Sequence, residues 1–99
     1  MDMDRLIREQ ARLTILKALA DQIDETLNSD LLGHELRRFA IRRPREWVHE
    51  ELRWLREIGA VTLTPAGSVL VASLTEKGQR HLDREIAIEG IQRPRRPGG

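Results

Sequence analysis

The chain has 99 residues, of which 33% are charged, and its formal net charge is only +1. This length allows one domain with one modest core, and the absence of cysteine excludes disulfides, thiolate metal sites and thiol nucleophiles. No apolar leader and no apolar run of membrane-spanning length occurs, so we expect a cytoplasmic protein whose basic surface, if it has one, is local.

The first predicted helix spans residues 4–21, a segment rich in Leu, Ile, Ala, Arg and Gln without Gly or Pro. Its apolar residues fall on two faces separated by narrow polar gaps, which is typical of a helix buried on more than one side. Either this helix is the centre of a small core, or one of its faces meets a second copy of the chain. We expect a homodimer built from the first and last helices, with an interface that includes Leu6, Leu13, Leu16, Leu82 and Ile86.

The next two helices are predicted to be separated by a short break. After a possible short strand at Thr26 and Leu27, the second helix spans residues 29–40 and can be capped by Asn28 or Ser29. Pro44 disfavours helix at the residue before it and suits a first helical turn, so the third helix spans residues 44–58 and ends at Gly59. A break of three or four residues is helix-turn-helix spacing.

A hairpin and a last helix complete the predicted domain. Strands 60–64 and 68–74 are joined by 65-PAG-67, and Thr75 then caps a helix over roughly residues 76–87. The domain is predicted to span residues 1–90, and residues 91–99 to form a flexible basic tail because of their Pro and Gly content. The expected fold class is α+β, mainly α with a small hairpin, in the order helix-strand-helix-helix-strand-strand-helix.

Two stretches resemble the winged helix-turn-helix superfamily. The stretch 48-VHEELRWLREIGAVTL-63 is similar to the third helix and first wing strand of many bacterial winged-helix regulators. The stretch 70-LVASLTEKGQRHL-82 is similar to the end of the wing in the same superfamily. The resemblance implies that the hairpin is the wing, although winged helices also serve as protein-interaction modules.

A second resemblance covers most of the chain. From 4-DRLIREQARLTILKAL-19 through 46-EWVHEELRWL-55 to 88-IEGIQRPRRP-97, the sequence resembles small winged-helix proteins of Mu-like prophages, which are often described as similar to ArsR-type regulators. This implies a prophage origin and a regulatory role. Metal sensing of the ArsR type does not carry over, because the chain has no cysteine ligands.

The third predicted helix has an apolar face, a basic stripe and an acidic stripe. In the DNA-binding hypothesis its basic stripe enters the major groove, and arginines at its start and end, together with those of the tail, contact the DNA backbone or minor groove. The predicted DNA-binding residues are Arg42, Arg43, Arg45, His49, Arg53, Arg56, Arg93, Arg95 and Arg96.

The alternative is a winged helix that binds another protein. It is favoured by the near-zero net charge, by the wing tip 65-PAG-67 without Lys or Arg, and by the acidic stripe of Glu46, Glu50 and Glu57. A simpler interpretation of the charged stripes is a solvated face, on which Glu50 with Arg53 and Arg53 with Glu57 form weak neighbouring pairs. If these glutamates are exposed on the same face as Arg45 and Arg53, protein binding is favoured over DNA binding.

Glu51 lies inside the apolar face of the third helix, beside Trp47 and Trp54. A buried carboxylate needs a partner, and we expect Arg37 or Arg38 of the second helix, or a backbone amide, to supply it. The expected role is structural.

No pattern in the chain points to catalysis. His34, His49 and His81 are isolated, and neither a nucleophile elbow nor a Gly-rich phosphate loop occurs. We therefore expect no enzyme activity, no metal, no cofactor and no small-molecule effector. The favoured function is a dimeric regulator of transcription that binds double-stranded DNA.

Overall fold

Four helices and a three-stranded antiparallel sheet make up residues 2–96, the part of the chain that the structure, a computed structural model, describes. The strand order in the sheet is β1-β3-β2. Both the α+β class and the order of the elements agree with the sequence-based expectation. The elements are α1 Met3–Ala20, β1 Thr26–Asn28, α2 Ser29–Arg38, α3 Arg45–Glu57, β2 Val61–Ala66, β3 Val69–Leu74 and α4 Glu76–Leu82.

Side-chain caps start three of these helices. Asp2, Asn28 and Thr75 precede α1, α2 and α4, and each accepts a hydrogen bond from a backbone N–H three residues further on. Pro44 precedes α3 and provides no such bond. The predicted caps at Asn28 and Thr75 are thereby confirmed, whereas the first turn of α3 is left uncapped by side chains.

Two helices end earlier than predicted because the backbone turns left-handed at a residue other than glycine. Ala40 has φ 64° and Arg84 has φ 61°, a region that L-residues visit rarely and that interrupts an α-helix. The helix α2 therefore ends at Arg38 rather than at residue 40, and α4 ends at Leu82 rather than at residue 87. Gly59, predicted to end α3, has φ 81° as expected.

The helix α1 is the centre of the core and packs against α2, α3, α4 and β3, which confirms burial on more than one side. Leu13 and Leu16 lie in this core, with 6% and 0% exposure, rather than on the surface where the predicted dimer interface requires them. Leu82 and Ile86 are half-buried against the same core, and Leu6 is exposed. The other core residues include Ala11, Ile15, Leu19, Leu32, Leu36, Leu52, Leu55, Val61 and Ala72.

The segment between β3 and α4 is bonded to the end of α3. Thr75 Oγ1 donates to the carbonyl oxygen of Gly59 at 2.6 Å and accepts from the backbone N–H of Gly78 at 3.2 Å. Lys77 Nζ donates to the carbonyl oxygen of Ile58 at 2.7 Å, where the negative end of the helix dipole favours a cation. These bonds give the Thr-x-Lys-Gly sequence a structural role at the joint between α3, the hairpin and α4.

Residues 88–94, called the C-terminal strap below, pack against α1. Arg12 Nη1 donates to the carbonyl oxygen of Gly90 at 2.8 Å, and the backbone N–H of Gln92 donates to the carbonyl oxygen of Glu9 at 3.1 Å. Within the strap Ile91 is 4% exposed and Pro94 is buried. The segment predicted to be a tail from residue 91 is thus packed as far as Pro94. Its residues 97–99, like Met1 of the predicted domain, lie outside the described part.

His81 connects α4 to the strap. Its side chain is fully buried, Nδ1 accepts from the backbone N–H of Ile88 at 3.1 Å, and Nε2 lies 3.0 Å from the carbonyl oxygen of Gln92. A nitrogen that accepts carries no proton, so these partners assign the neutral tautomer with its hydrogen on Nε2.

Candidate nucleic-acid interface

The helices α2 and α3 and the turn between them, residues 29–57, carry several arginines, most of them at or near the exposed surface. Of the ion pairs formed within residues 2–96, none includes Arg37, Arg42 or Arg43. The guanidinium of Arg43 instead lies 5.5 Å from the ring centroid of Trp47. We call Arg37, Arg42 and Arg43 the basic corner; two of its members were predicted as phosphate contacts, whereas Arg37 was not.

Arg45, the first residue of α3, is bonded to the start of α2. Its Nε and Nη2 atoms donate to the two carboxylate oxygens of Asp30 at 3.1 and 2.9 Å. About half of each side chain is exposed. An exposed pair of this kind contributes at most about 1 kcal/mol, so Arg45 can exchange Asp30 for another oxyanion.

His49 does not lie on the surface where the predicted major-groove contact requires it. The residue is 7% exposed, and its Nε2 lies 2.8 Å from Ser29 Oγ, which also accepts from the backbone N–H of Leu70 at 3.1 Å. The helical wheel places His49 beside the arginines, but α2 and β3 cover it. The imidazole therefore positions α3 relative to α2 and the hairpin, and it reaches no groove.

Burial lowers the pKa of His49 below its ordinary value of 6.5. The positive charges of Arg53 and Arg45 also lower this pKa, against the opposing carboxylates of Glu46 and Asp30. The folded state thus favours the neutral ring.

A pH-dependent stability follows from this depressed pKa. Well above pH 6.5 His49 is neutral in both the folded and the unfolded chain, and its contribution to stability is complete. As the pH falls below that value the unfolded chain binds the proton first, so the free energy of unfolding decreases through the folded pKa. We expect urea denaturation between about pH 7.5 and 5.5 to show this decrease, and His49→Gln to show a smaller one. His34→Gln, the same change at an exposed residue, is the matched control, and an equal effect of the two variants would contradict the assignment to His49.

The exposed face of α3 mixes both signs of charge. Arg53 pairs with Glu46 at 3.2 Å and Arg56 with Glu57 at 3.3 Å, and all four side chains are largely exposed. Glu50 is exposed as well. Such a face is expected of a winged helix that binds protein, because exposed glutamates repel phosphates. Within residues 29–57 the arginines without a carboxylate partner lie instead on α2 (Arg37) and in the turn before α3 (Arg42 and Arg43).

Glu51 fixes the inner face of α3 to α1. Its side chain is 6% exposed, and Arg12 Nε donates to Oε1 at 2.6 Å while Arg8 Nε lies 3.8 Å from Oε2. The guanidinium of Arg12 also lies 3.7 Å from the ring centroid of Trp54. The predicted partners on α2 were wrong, since α1, not α2, faces this side of α3.

The arginines of the C-terminal segment lie elsewhere. Arg93 and Arg95 line an open groove of about 770 Å³ that is otherwise formed by α1, the end of α2, α4 and the strap, with no lining residue from α3. Arg84 Nη1 donates to the carbonyl oxygen of Pro94, which holds the segment against α4, and Arg96 is exposed. The structure therefore does not bring the predicted tail arginines together with those of α3.

Residues 2–96 offer candidate residues neither for a metal site nor for a membrane-spanning helix. Within residues 2–96, no group of three or more His, Asp or Glu side chains is arranged to hold a metal ion. No helix of that same range combines the length and the apolar character needed to cross a bilayer.

Comparison with known proteins relates this chain to a phage protein. No family model matches the sequence. The chain is 30% identical over 90 residues to the uncharacterised protein gp26 of Escherichia phage Mu, a match that covers 91% of this chain and 93% of gp26. A match over nearly the whole of both chains agrees with the phage origin that the sequence resemblance implied.

Proposed function

Since this chain belongs to the same family as protein gp26 of Escherichia phage Mu, we propose that it is a phage or prophage protein that binds double-stranded DNA through a winged-helix domain and regulates transcription. The element order supports the winged helix: α2 and α3 are joined by residues 39–44, and the β2–β3 hairpin and α4 follow. In this arrangement α3 is the recognition helix and the hairpin is the wing.

The observation that carries the proposal is the basic corner. Arg37, Arg42 and Arg43 stand in no ion pair of the described chain, beside the start of α3. Arginine pairs with phosphate oxygens in a planar, bidentate geometry. A local cluster of this kind provides the sequence-independent part of DNA affinity even in a chain of near-zero net charge.

The exposed glutamates restrict how α3 meets DNA. Recognition helices commonly contact base edges with their N-terminal residues. The start of α3 holds Arg45 and Glu46, and the carboxylate of Glu46 is paired with Arg53 at 3.2 Å, whereas Glu50 and Glu57 lie further along the exposed face. We therefore place the start of α3 in the major groove, with the basic corner on the phosphates and Arg53 and Arg56 as secondary contacts.

A dimer is part of the proposal. The N-terminal turns of α1 expose Met3 and Leu6, at 61% and 42%, and Leu82 and Ile86 are half-buried. Two copies related by a two-fold axis would read half-sites about 34 Å apart. Sedimentation equilibrium would measure the assembly state directly.

The second candidate function is a winged helix that binds a protein partner. The specific observation in its favour is the exposure of Glu46, Glu50 and Glu57 on one helix, which suits a basic protein surface better than DNA.

Fluorescence anisotropy with a mixed set of labelled duplexes tests the proposal. We expect binding whose logarithm falls linearly with the logarithm of salt concentration. Arg42→Gln/Arg43→Gln should reduce that slope by about 1.8, or about 0.9 for each phosphate that the variant no longer neutralises. Arg95→Gln/Arg96→Gln changes the net charge by the same amount and tests the tail. If this variant binds more weakly and Arg42→Gln/Arg43→Gln does not, the phosphate contacts are made by the tail and not by the basic corner. A folded protein without binding at low salt would reject DNA and favour the protein-binding candidate.

A further inference from the structure

A cleft of about 420 Å³ lies between α2, the following turn and the start of α3. Because a water molecule takes about 30 Å³ of the liquid, the cleft has room for a hydrated anion. Its lining residues are Ser29, Asp30, Gly33, His34, Arg37, Arg43, Arg45 and Val48.

The charge of this lining is positive. Arg37, Arg43 and Arg45 contribute three cations, and Asp30 is the one carboxylate, which leaves a net charge of +2 with His34 neutral. Both oxygens of the Asp30 carboxylate already accept from Arg45. Neither Arg37 nor Arg43 has a carboxylate within ion-pair distance in residues 2–96, so two guanidinium groups at the cleft lack an anionic partner.

The helical spacing of α2 builds one wall. Residues 30, 33, 34 and 37 fall on the same face of a helix with about 3.6 residues per turn. Gly33 has no side chain, and the nearest atom to a Cβ built there is Arg37 Nη1, at 3.6 Å. The guanidinium of Arg37 therefore lies over Gly33, and glycine keeps the floor of the cleft open beneath it.

The start of α3 supplies a further positive potential. This helix is 13 residues long and has no side-chain cap at Pro44, so the first N–H groups of α3 receive no side-chain acceptor. The positive end of the helix dipole adds to the field of the arginines.

We infer that this cleft is a phosphate-binding site, with Arg37 and Arg43 as its principal ligands and Arg45 able to leave Asp30 for the anion. In the DNA complex a backbone phosphodiester occupies it; this part rests on the proposed function, whereas the affinity for phosphate does not. Arg37 then fixes the position of the start of α3 along the duplex. Free phosphate has the same chemistry, and the two sources are distinguished below.

The first arm of the test uses the full chain and inorganic phosphate. We expect amide resonances of residues 33–37 and 43–46 to shift saturably in a ¹⁵N-correlated NMR titration. Arg37→Gln should weaken this binding about tenfold, the usual effect of removing one charge-assisted hydrogen bond. Arg38→Gln is the matched control, since Arg38 is the neighbouring residue, is outside the cleft and is paired with Glu35 at 2.8 Å.

The second arm uses duplex DNA at several salt concentrations. Arg37→Gln should lower the salt slope by about 0.9 and weaken binding about tenfold, while Arg38→Gln, with the same net charge, should leave the slope unchanged. Arg37→Lys keeps the charge but not the bidentate geometry, so its DNA affinity should lie between those of Arg37→Gln and Arg38→Gln. Thermal melting of each variant establishes that it is folded.

The outcomes separate the two ideas. Phosphate binding that depends on Arg37, without any DNA binding, would support the anion site with free phosphate as its ligand and reject the proposed function. DNA binding that Arg37→Gln and Arg38→Gln affect equally would overturn the phosphate site and leave the proposed function standing. Absence of phosphate-induced shifts in the wild-type chain would also overturn the site.

Discussion

Replacing Arg12 with leucine is expected to lower the free energy of unfolding by about 3–5 kcal/mol, the usual effect of removing one partner from a buried ion pair. The carboxylate of Glu51, with 6% of its side chain exposed, would retain only Arg8 at 3.8 Å. The carbonyl oxygen of Gly90 would lose its donor, and Trp54 would lose the cation over its ring. Urea denaturation followed by circular dichroism and tryptophan fluorescence measures the change.

Two further variants test the cause. Arg12→Leu/Glu51→Leu replaces the whole pair with apolar side chains and should recover much of the stability, because no buried charge is left without a partner. Arg38→Leu removes an exposed pair with Glu35, in which the arginine side chain is 71% exposed, and should cost under about 1 kcal/mol. Equal destabilisation in Arg12→Leu and Arg38→Leu would contradict the role assigned to the buried pair.

Gly78→Ala should lower the free energy of unfolding by about 1–3 kcal/mol, as overpacking of a tight contact does. A Cβ at this position would overlap the carbonyl oxygen of Ala60 and lie 2.7 Å from Leu74 Cδ1. The leucine side chain can move aside, whereas the carbonyl belongs to the backbone at the start of β2. The higher helix propensity of alanine, worth up to about 1 kcal/mol, offsets part of this destabilisation.

Gly33→Ala provides the matched control in the same urea experiment. Gly33 is also a buried helical glycine, but the nearest atom to its added Cβ is at the ordinary contact distance of 3.6 Å. Here the helix propensity acts alone, and we expect stabilisation of up to about 1 kcal/mol. A shift of both variants in the same direction would show that the close approach at Gly78 does not govern its stability.

Local signals predicted the elements of the fold well. Asn28 and Thr75 were recognised as caps, Pro44 and Gly59 bracketed α3, and the hairpin followed from its turn residues. Each of these effects acts within a few residues along the chain, so a single sequence is sufficient to show it. The early end of α4 was not predictable in this way, because a left-handed Arg84 has no local signature.

The partners of charged residues required the tertiary structure. Helical spacing correctly placed Glu51 on the inner face of α3, but spacing within one helix cannot show which other helix lies opposite. His49 sits at the border of that face, and only the approach of Ser29 and Leu70 buries it. The sequence suggested Arg37 only as a partner for Glu51; the shared face of residues 30, 33, 34 and 37 on α2 was the signal that could have identified the cleft.

The composition of the C-terminal segment was misleading for a physical reason. Proline and glycine are poor helix and strand formers, yet a segment without regular secondary structure can still bury its apolar residues. Ile88 and Ile91 do so as members of the hydrophobic core, with 9% and 4% exposure. The spacing of these two isoleucines in an otherwise polar stretch was the available indication.

The C-terminal strap also relates folding to protein synthesis. Glu9 and Arg12 leave the ribosome long before Gln92 and Gly90, the residues to which they are bonded in the finished fold. In a nascent chain that stalls before residue 88, α1 is not covered by the strap. Arg12, the partner of the buried Glu51 carboxylate, then lacks the carbonyl oxygen of Gly90 as an acceptor. Such a fragment would present apolar surface to chaperones and proteases.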